Sequence, residues 1–124
     1  MAIRVMVVDD TPHVRDMLAT MLALDGFEVV AKASGGREAI DALPDAGPNI
    51  VVMDYKMPDM DGLDATRKVR ELAPDVGVIL YTAYLDEELE RKAREAGAAL
   101  CLGKVDGLEQ LEHRISQLCI ELMS

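Results

Sequence analysis

Three aspartates in this chain stand where apolar runs stop. Ile3-Arg4-Val5-Met6-Val7-Val8 halts at Asp9-Asp10, and Ile50-Val51-Val52-Met53 halts at Asp54. Two further runs end on other polar groups: Val78-Ile79-Leu80-Tyr81 at Thr82-Ala83, and Leu100-Cys101-Leu102 at Gly103-Lys104. Such Val- and Ile-rich runs read as strands buried on both faces of a parallel sheet, which places its chemistry just beyond the strand carboxyl ends. The acids then gather at one edge, where like charges a few ångströms apart raise their pKa values and destabilise the fold unless a cation compensates. Mg²⁺ suits that role, because it takes hard oxygen ligands, commonly one or two carboxylates, and keeps other positions for waters and phosphate oxygens. One strand-end Asp is most simply a solvated loop residue, but three of them point to a functional acidic site. A carboxylate nucleophile, a cation held by two more carboxylates, an ammonium and a hydroxyl are together what phosphoryl transfer to an Asp needs, since that chemistry is mostly positioning and charge neutralisation.

The elements that must hold these groups follow from periodicity. Strands are expected at Ile3–Val8, Glu28–Ala33, Ile50–Met53, Val76–Tyr81 and Ala98–Leu102, and the less apolar second one suits a sheet edge. Between them the pattern is helical. Thr11-Pro12 opens a helix with Val14, Leu18, Met21 and Leu22 on one stripe, and Ser34-Gly35-Gly36 opens a short one carrying Ala39, Ile40 and Leu43 that Pro44 should close. Leu63, Thr66, Val69 and Leu72 mark a third helix, and Asp86 caps a fourth with Leu89, Ala93 and Ala96. Leu108, Leu111, Ile115, Leu118 and Leu122 mark the last. Five strands alternating with five helices imply right-handed crossovers and a doubly wound α/β domain, its parallel sheet covered on both faces. With one Phe, three Tyr and no Trp, the core must be aliphatic, and Met6, Met17, Met21 and Met53 read as packing residues.

Composition narrows the function classes. At 124 residues the chain fits a single domain, residues 1–124, and its net charge of −10 argues against direct nucleic-acid or anionic-membrane binding. Cys101 and Cys119 form no CxxC pair, and His13 and His113 have no partner at metal-ligand spacing, so surface or capping roles suit the histidines. The opening residues lack a secretion pattern and no apolar run is long enough to span a bilayer, so a soluble, cytoplasmic protein is expected.

Val8-Asp9-Asp10, Met53-Asp54-Tyr55-Lys56-Met57-Pro58, Asp61-Gly62, Thr82-Ala83 and Lys104 occur in the order, and on the elements, of a known family. The whole chain resembles the receiver domain of bacterial two-component response regulators. The resemblance implies a flavodoxin-like (βα)5 three-layer sandwich with strand order 2-1-3-4-5. It implies that Asp54 accepts a phosphoryl group from a sensor histidine kinase or phosphotransfer protein, with self-phosphotransfer and autodephosphorylation the only catalysis. Asp10 matches a direct Mg²⁺ ligand, Asp9 an acid acting largely through water, and the Lys56 backbone carbonyl a further ligand, with Mn²⁺ able to substitute. Lys104 and Thr82 match residues that bind the phosphoryl oxygens, and movement of the Thr remodels the face of the fourth helix and fifth strand. The recipient is then a downstream protein or a fused output domain, and exposed apolar residues on the last helix are compatible with a homodimer.

Several positions depart from the pattern or stay open. Lys104 is followed by Val105 rather than Pro, so a trans bond is expected there. Cys101 stands where the family usually has Tyr or Phe, which implies different coupling to the output face, with Tyr84 as a possible substitute. Lys56 and Tyr84 lie two residues beyond Asp54 and Thr82 and flank the family's path for hydrolytic water; bulky groups there slow dephosphorylation, unless both are ordinary exposed loop residues. A pseudo-receiver that binds without phosphorylation is one alternative. A small Mg²⁺-dependent phosphatase is another, disfavoured because such enzymes carry Asp-x-Asp after the first strand and need a substrate cap.

Overall fold

A computed structural model describes residues 2–122. Five strands alternate with five α-helices: β1 (Arg4–Val8), α1 (Pro12–Leu24), β2 (Glu28–Ala33), α2 (Gly36–Ala46), β3 (Ile50–Met53), α3 (Gly62–Leu72), β4 (Gly77–Thr82), α4 (Glu87–Ala96), β5 (Leu100–Gly103) and α5 (Leu108–Leu122). The strands form one parallel sheet in the order β2-β1-β3-β4-β5, so β2 lies at an edge and the acid-bearing β1 and β3 are neighbours. This is the flavodoxin-like arrangement expected.

The near-continuous apolar runs have a direct cause in the pleat, which sends alternate side chains to opposite faces. Met6, Val8, Val51, Met53, Val78 and Leu80 enter the core under α2, α3 and α4, whereas Val5, Val7, Ile50, Val52, Ile79 and Tyr81 enter the core under α1 and α5. Both faces are dry, so no strand position in β3 or β4 has reason to be charged until the strand ends. Full burial of each Val, Ile or Leu stabilises the fold by about 1.5–3 kcal/mol, which makes these runs the main source of the sheet's rigidity.

Three local expectations change. α2 runs through Pro44 to Ala46, because Leu43 is buried and Ala46 packs on the same core, while the Gly47 amide donates to the Leu43 carbonyl at 3.1 Å and ends the helix in left-handed geometry. Met17 and Met21 are 54% and 40% exposed rather than core: Leu18, Ala19 and Leu22 take the inward face of α1, and the two methionines lie to one side of it. Met6 and Met53 are fully buried as expected. Thr11 occupies the cap position of α1 without a side-chain cap bond. Asp86 does cap α4, accepting from the Leu89 amide at 2.8 Å.

Candidate functional site

The carboxyl ends of β1 and β3 deliver the acids side by side. Val8 pairs with Met53 across the two strands, and the Asp54 amide donates to the Val8 carbonyl at 3.0 Å, so the next residue of each strand emerges at the same level. Asp9 is buried, Asp54 half-buried and Asp10 exposed. One carboxylate oxygen from each lies within 4.8 Å of the other two. Neighbouring and opposite ligands of a Mg²⁺ octahedron lie about 3 and 4 Å apart, so the spacing suits three ligands of one hard cation.

Two of the carboxylates, those of Asp9 and Asp54, are held from behind. The Oδ1 of Asp9 accepts from the Thr11 amide at 2.9 Å, and the Oδ1 of Asp54 accepts from the Tyr55 amide at 2.9 Å. Lys104, just past the end of β5, reaches back across β4: its Nζ donates to the Oδ2 of Asp9 at 3.0 Å and to the Oδ1 of Asp54 at 3.4 Å. Burial pushes the Asp54 carboxyl upward, Lys104 pulls it down and the Asp9 charge pushes it up again, with a net rise. Burial works to lower Lys104, but its bond to Asp9 and the charges of Asp54 and Asp9 outweigh this and hold the ammonium charged.

Thr82, the last residue of β4, is 1% exposed, and its hydroxyl accepts from the Tyr84 amide at 3.1 Å, which leaves the hydroxyl proton free to donate. Lys56 and Tyr84 are both exposed, yet the ammonium of Lys56 sits 4.6 Å from the centre of the Tyr84 ring. That cation–π contact joins the loops after Asp54 and Thr82 and is worth about 0.5–1 kcal/mol at an exposed site. Val105 is 88% exposed in a 3₁₀ turn of residues Lys104–Asp106, and the described peptide bonds are all trans. One contributor escaped the sequence pattern: Arg15 of α1 donates to the Asp9 carbonyl at 2.9 Å, and an Arg six residues beyond an acid gives no signal of that contact.

Cys101 lies partly buried on β5 against the core under α4. Burial, with the charges of Glu90 and Asp86, pushes its thiol up to about 11. Its thiolate fraction at pH 8 is then roughly a hundredfold or more below that of an ordinary thiol of pKa about 8.5. Iodoacetamide labelling of Cys101 at pH 8, followed by peptide mass, is expected to run about two orders of magnitude slower than labelling of a free thiol. Labelling at the free-thiol rate contradicts the buried, acid-flanked placement.

Together the fold and the pocket define a doubly wound α/β domain whose sheet edge gathers three carboxylates, spaced as a hard cation would need them, beside a fixed ammonium. The chain belongs to the response regulator receiver domain family, whose sequence profile matches residues 5–116. It is 37% identical over 117 residues to the response regulator GacA of Pseudomonas aeruginosa, covering 94% of this chain and 55% of GacA. It is 35% identical over 98 residues to the chemotaxis protein CheY of Bacillus subtilis, covering 79% of this chain and 82% of CheY. A CheY-like receiver domain protein from Methanospirillum hungatei has the same fold, with a TM-score of 0.91 at 25% identity over 99% of this chain and 98% of that one. The chain spans about half the length of the GacA relatives it matches. Membership places it among the receiver domains of two-component systems, and receiver-domain response regulators are generally non-enzymatic signalling proteins.

Proposed function

We propose that this chain, as a single receiver domain over residues 1–124, is the phosphoacceptor switch of a two-component phosphorelay, with Asp54 as the residue that takes the phosphoryl group. The observation that carries the reading is the convergence of three carboxylate oxygens within 4.8 Å of one another with the Lys104 ammonium bridging Asp9 and Asp54. Among the described residues the hydrogen bonds to Asp54 fall on Oδ1, which leaves Oδ2 as the nucleophile. In the transfer this oxygen forms a bond to phosphorus as the P–N bond of a donor phosphohistidine breaks; the imidazole leaves with the bonding electron pair and takes up a proton.

Asp9, Asp10, Asp54 and the Lys56 carbonyl are the residues that would hold Mg²⁺, with Mn²⁺ able to substitute; when bound, the ion neutralises charge on the phosphoryl oxygens. Lys104 then follows the new charge, exchanging its bond to Asp54 for one to a phosphoryl oxygen without leaving Asp9. The Thr82 hydroxyl donates to another such oxygen, and turning to do so strains its bond to the Tyr84 amide and the Lys56–Tyr84 contact above it. The local charge thereby reaches the loop ahead of α4 and biases the output surface. Partners are a sensor histidine kinase or phosphotransfer protein upstream and a downstream protein or fused output domain, without direct contact to nucleic acid, in the cytoplasm; a homodimer is compatible with this surface. No helix among the described residues is long and apolar enough to cross a membrane.

Intact-mass measurement after incubation with acetyl phosphate tests the reading. Addition of one phosphoryl group with Mg²⁺ present, and none after chelation with EDTA, is expected. No addition under either condition makes the chain a pseudo-receiver, and catalytic hydrolysis of a phosphomonoester such as p-nitrophenyl phosphate, which a receiver does not use as donor, makes it a phosphatase.

A further inference from the structure

The N-terminus of α2 is closed by a residue from a different loop. Gly35, at its cap position, offers no side chain, and the preceding Ser34 is engaged with Glu38, donating through its amide at 3.2 Å and its hydroxyl at 2.7 Å. The amides of Gly36 and Arg37 instead donate to the two carboxylate oxygens of Asp59, at 3.2 and 2.8 Å. The Arg37 amide foremost holds the Asp59 carboxyl below its ordinary range; burial opposes it, and the amides of Gly36 and Met60 add to the lowering. Gly35 and Gly36 are buried, and the seat is tight: a Cβ on Gly35 would stand 2.6 Å from the Oδ1 of Asp59, and one on Gly36 would overlap Met60.

Asp59 belongs to the loop that follows the candidate phosphoacceptor. The near end of that loop is pinned at Tyr55, whose amide donates to Asp54 at 2.9 Å and whose carbonyl accepts from the Gly62 amide at 2.7 Å. Lys56, Met57 and Pro58 therefore span two anchors, Tyr55 at one end and Asp59 at the other. We propose that Asp59 is a positioning residue for the divalent-cation site: by capping α2 from outside, it fixes the span that presents the Lys56 carbonyl to the Asp9, Asp10 and Asp54 carboxylates. The inference rests on the metal-site reading given above. A carbonyl on an unanchored span must be ordered when the ion arrives, and that entropy is subtracted from affinity. A cap serving α2 alone affects folding and leaves ion binding untouched.

Calorimetric titration of the full chain with MgCl₂, beside unfolding midpoints measured in metal-free buffer, separates the two. Asp59→Ala is expected to weaken Mg²⁺ binding roughly tenfold, the lower end of what outer-shell partners of metal ligands contribute. Asp59→Asn keeps one acceptor oxygen and is expected to fall between that variant and wild type. Gly35→Ala, which crowds the carboxylate off its seat, should weaken binding in the same direction, and adding it to Asp59→Ala should cause no further loss because both remove one contact. Should Asp59→Ala fail to fold, Asp59→Asn and Gly35→Ala carry the comparison. Unchanged Mg²⁺ affinity in the folded variants, or additive losses, overturns the proposal and leaves the metal site standing. A wild-type chain that binds no Mg²⁺ overturns both.

Discussion

Asp54→Asn is expected to abolish phosphoryl addition from acetyl phosphate in the presence of Mg²⁺, so that the intact mass of the variant stays that of the unmodified chain. The amide keeps the shape of the side chain and an oxygen for the Tyr55 amide, which donates to Asp54 at 2.9 Å in the native pocket. It lacks the anionic oxygen that must form the bond to phosphorus, and no positioning by Lys104 or Thr82 replaces a missing nucleophile. Adducts on Asp9 or Asp10 are not expected, because Asp9 is already occupied by Lys104 and the Thr11 amide, and Asp10 lies exposed at the pocket's rim. The same variant carries a second expectation of opposite sign. Burial foremost, and then the Asp9 charge, raise the Asp54 carboxyl against the pull of Lys104, so the folded chain holds this proton more tightly than the unfolded chain does. Stability from this group is therefore present below the ordinary carboxylate pKa and declines as pH rises through the raised one, leaving the ionised form a burden at neutral pH. Asn removes that burden, and in metal-free buffer at pH 7 the thermal midpoint of Asp54→Asn should lie above wild type. A phosphoryl adduct on the variant shifts the nucleophile elsewhere, and a lower midpoint contradicts the electrostatic account.

Gly62→Ala is expected to destabilise the fold by about 2 kcal/mol, within the ~1–3 kcal/mol typical of overpacking. Gly62 begins α3 and is buried against Asp54, the proposed phosphoacceptor. A Cβ there would run into the Asp54 backbone carbonyl and stand 2.7 Å from the Leu80 Cδ1 and 2.9 Å from the Tyr55 Cα. Two of these three atoms are backbone and cannot rotate aside, so the end of β3 or the start of α3 must move. Gly62 is not among the glycines with positive φ, so Ala meets no dihedral strain, and the usual gain of roughly 0.4–1 kcal/mol from a stiffer unfolded chain is overridden by the clash. Because the displaced atoms belong to Asp54 and Tyr55, slower phosphorylation by acetyl phosphate accompanies the lost stability. Guanidinium unfolding reads the first effect and the rate of mass addition the second; a midpoint at or above wild type refutes the argument. Asp61, beside it, caps α3 by accepting from the Asp64 amide at 2.9 Å, so the Asp61-Gly62 pair serves structure on both sides of the turn.

Much of this arrangement is legible in the sequence, and for a local reason. A strand buried on both faces must be apolar at every position, so its end is marked by the first charge, and Asp9, Asp54 and Lys104 each stand just past such an end. Five runs alternating with helical stripes allow few topologies, and the observed order β2-β1-β3-β4-β5 then puts the acids of β1 and β3 on adjacent strands. The departures from the sequence pattern are local as well. Pro44 looked like a stop because it removes a helical donor, but the apolar faces of Leu43 and Ala46 favour a further turn. Met17 and Met21 looked like core because methionine usually packs, but the orientation of α1 on the sheet is a tertiary property.

What the sequence by itself determined is the set of groups and the strand ends that carry them, because burial writes a periodic pattern into neighbouring residues. What only the tertiary structure decided is who touches whom across that edge. Lys104 rests on Asp9 from 95 positions away, Asp59 closes α2 from 23, Lys56 lies under Tyr84, and Arg15 supports the Asp9 carbonyl. Such contacts leave no periodicity behind. They depend on the spacing of packed strands and the reach of single side chains, quantities that exist only once the chain has folded.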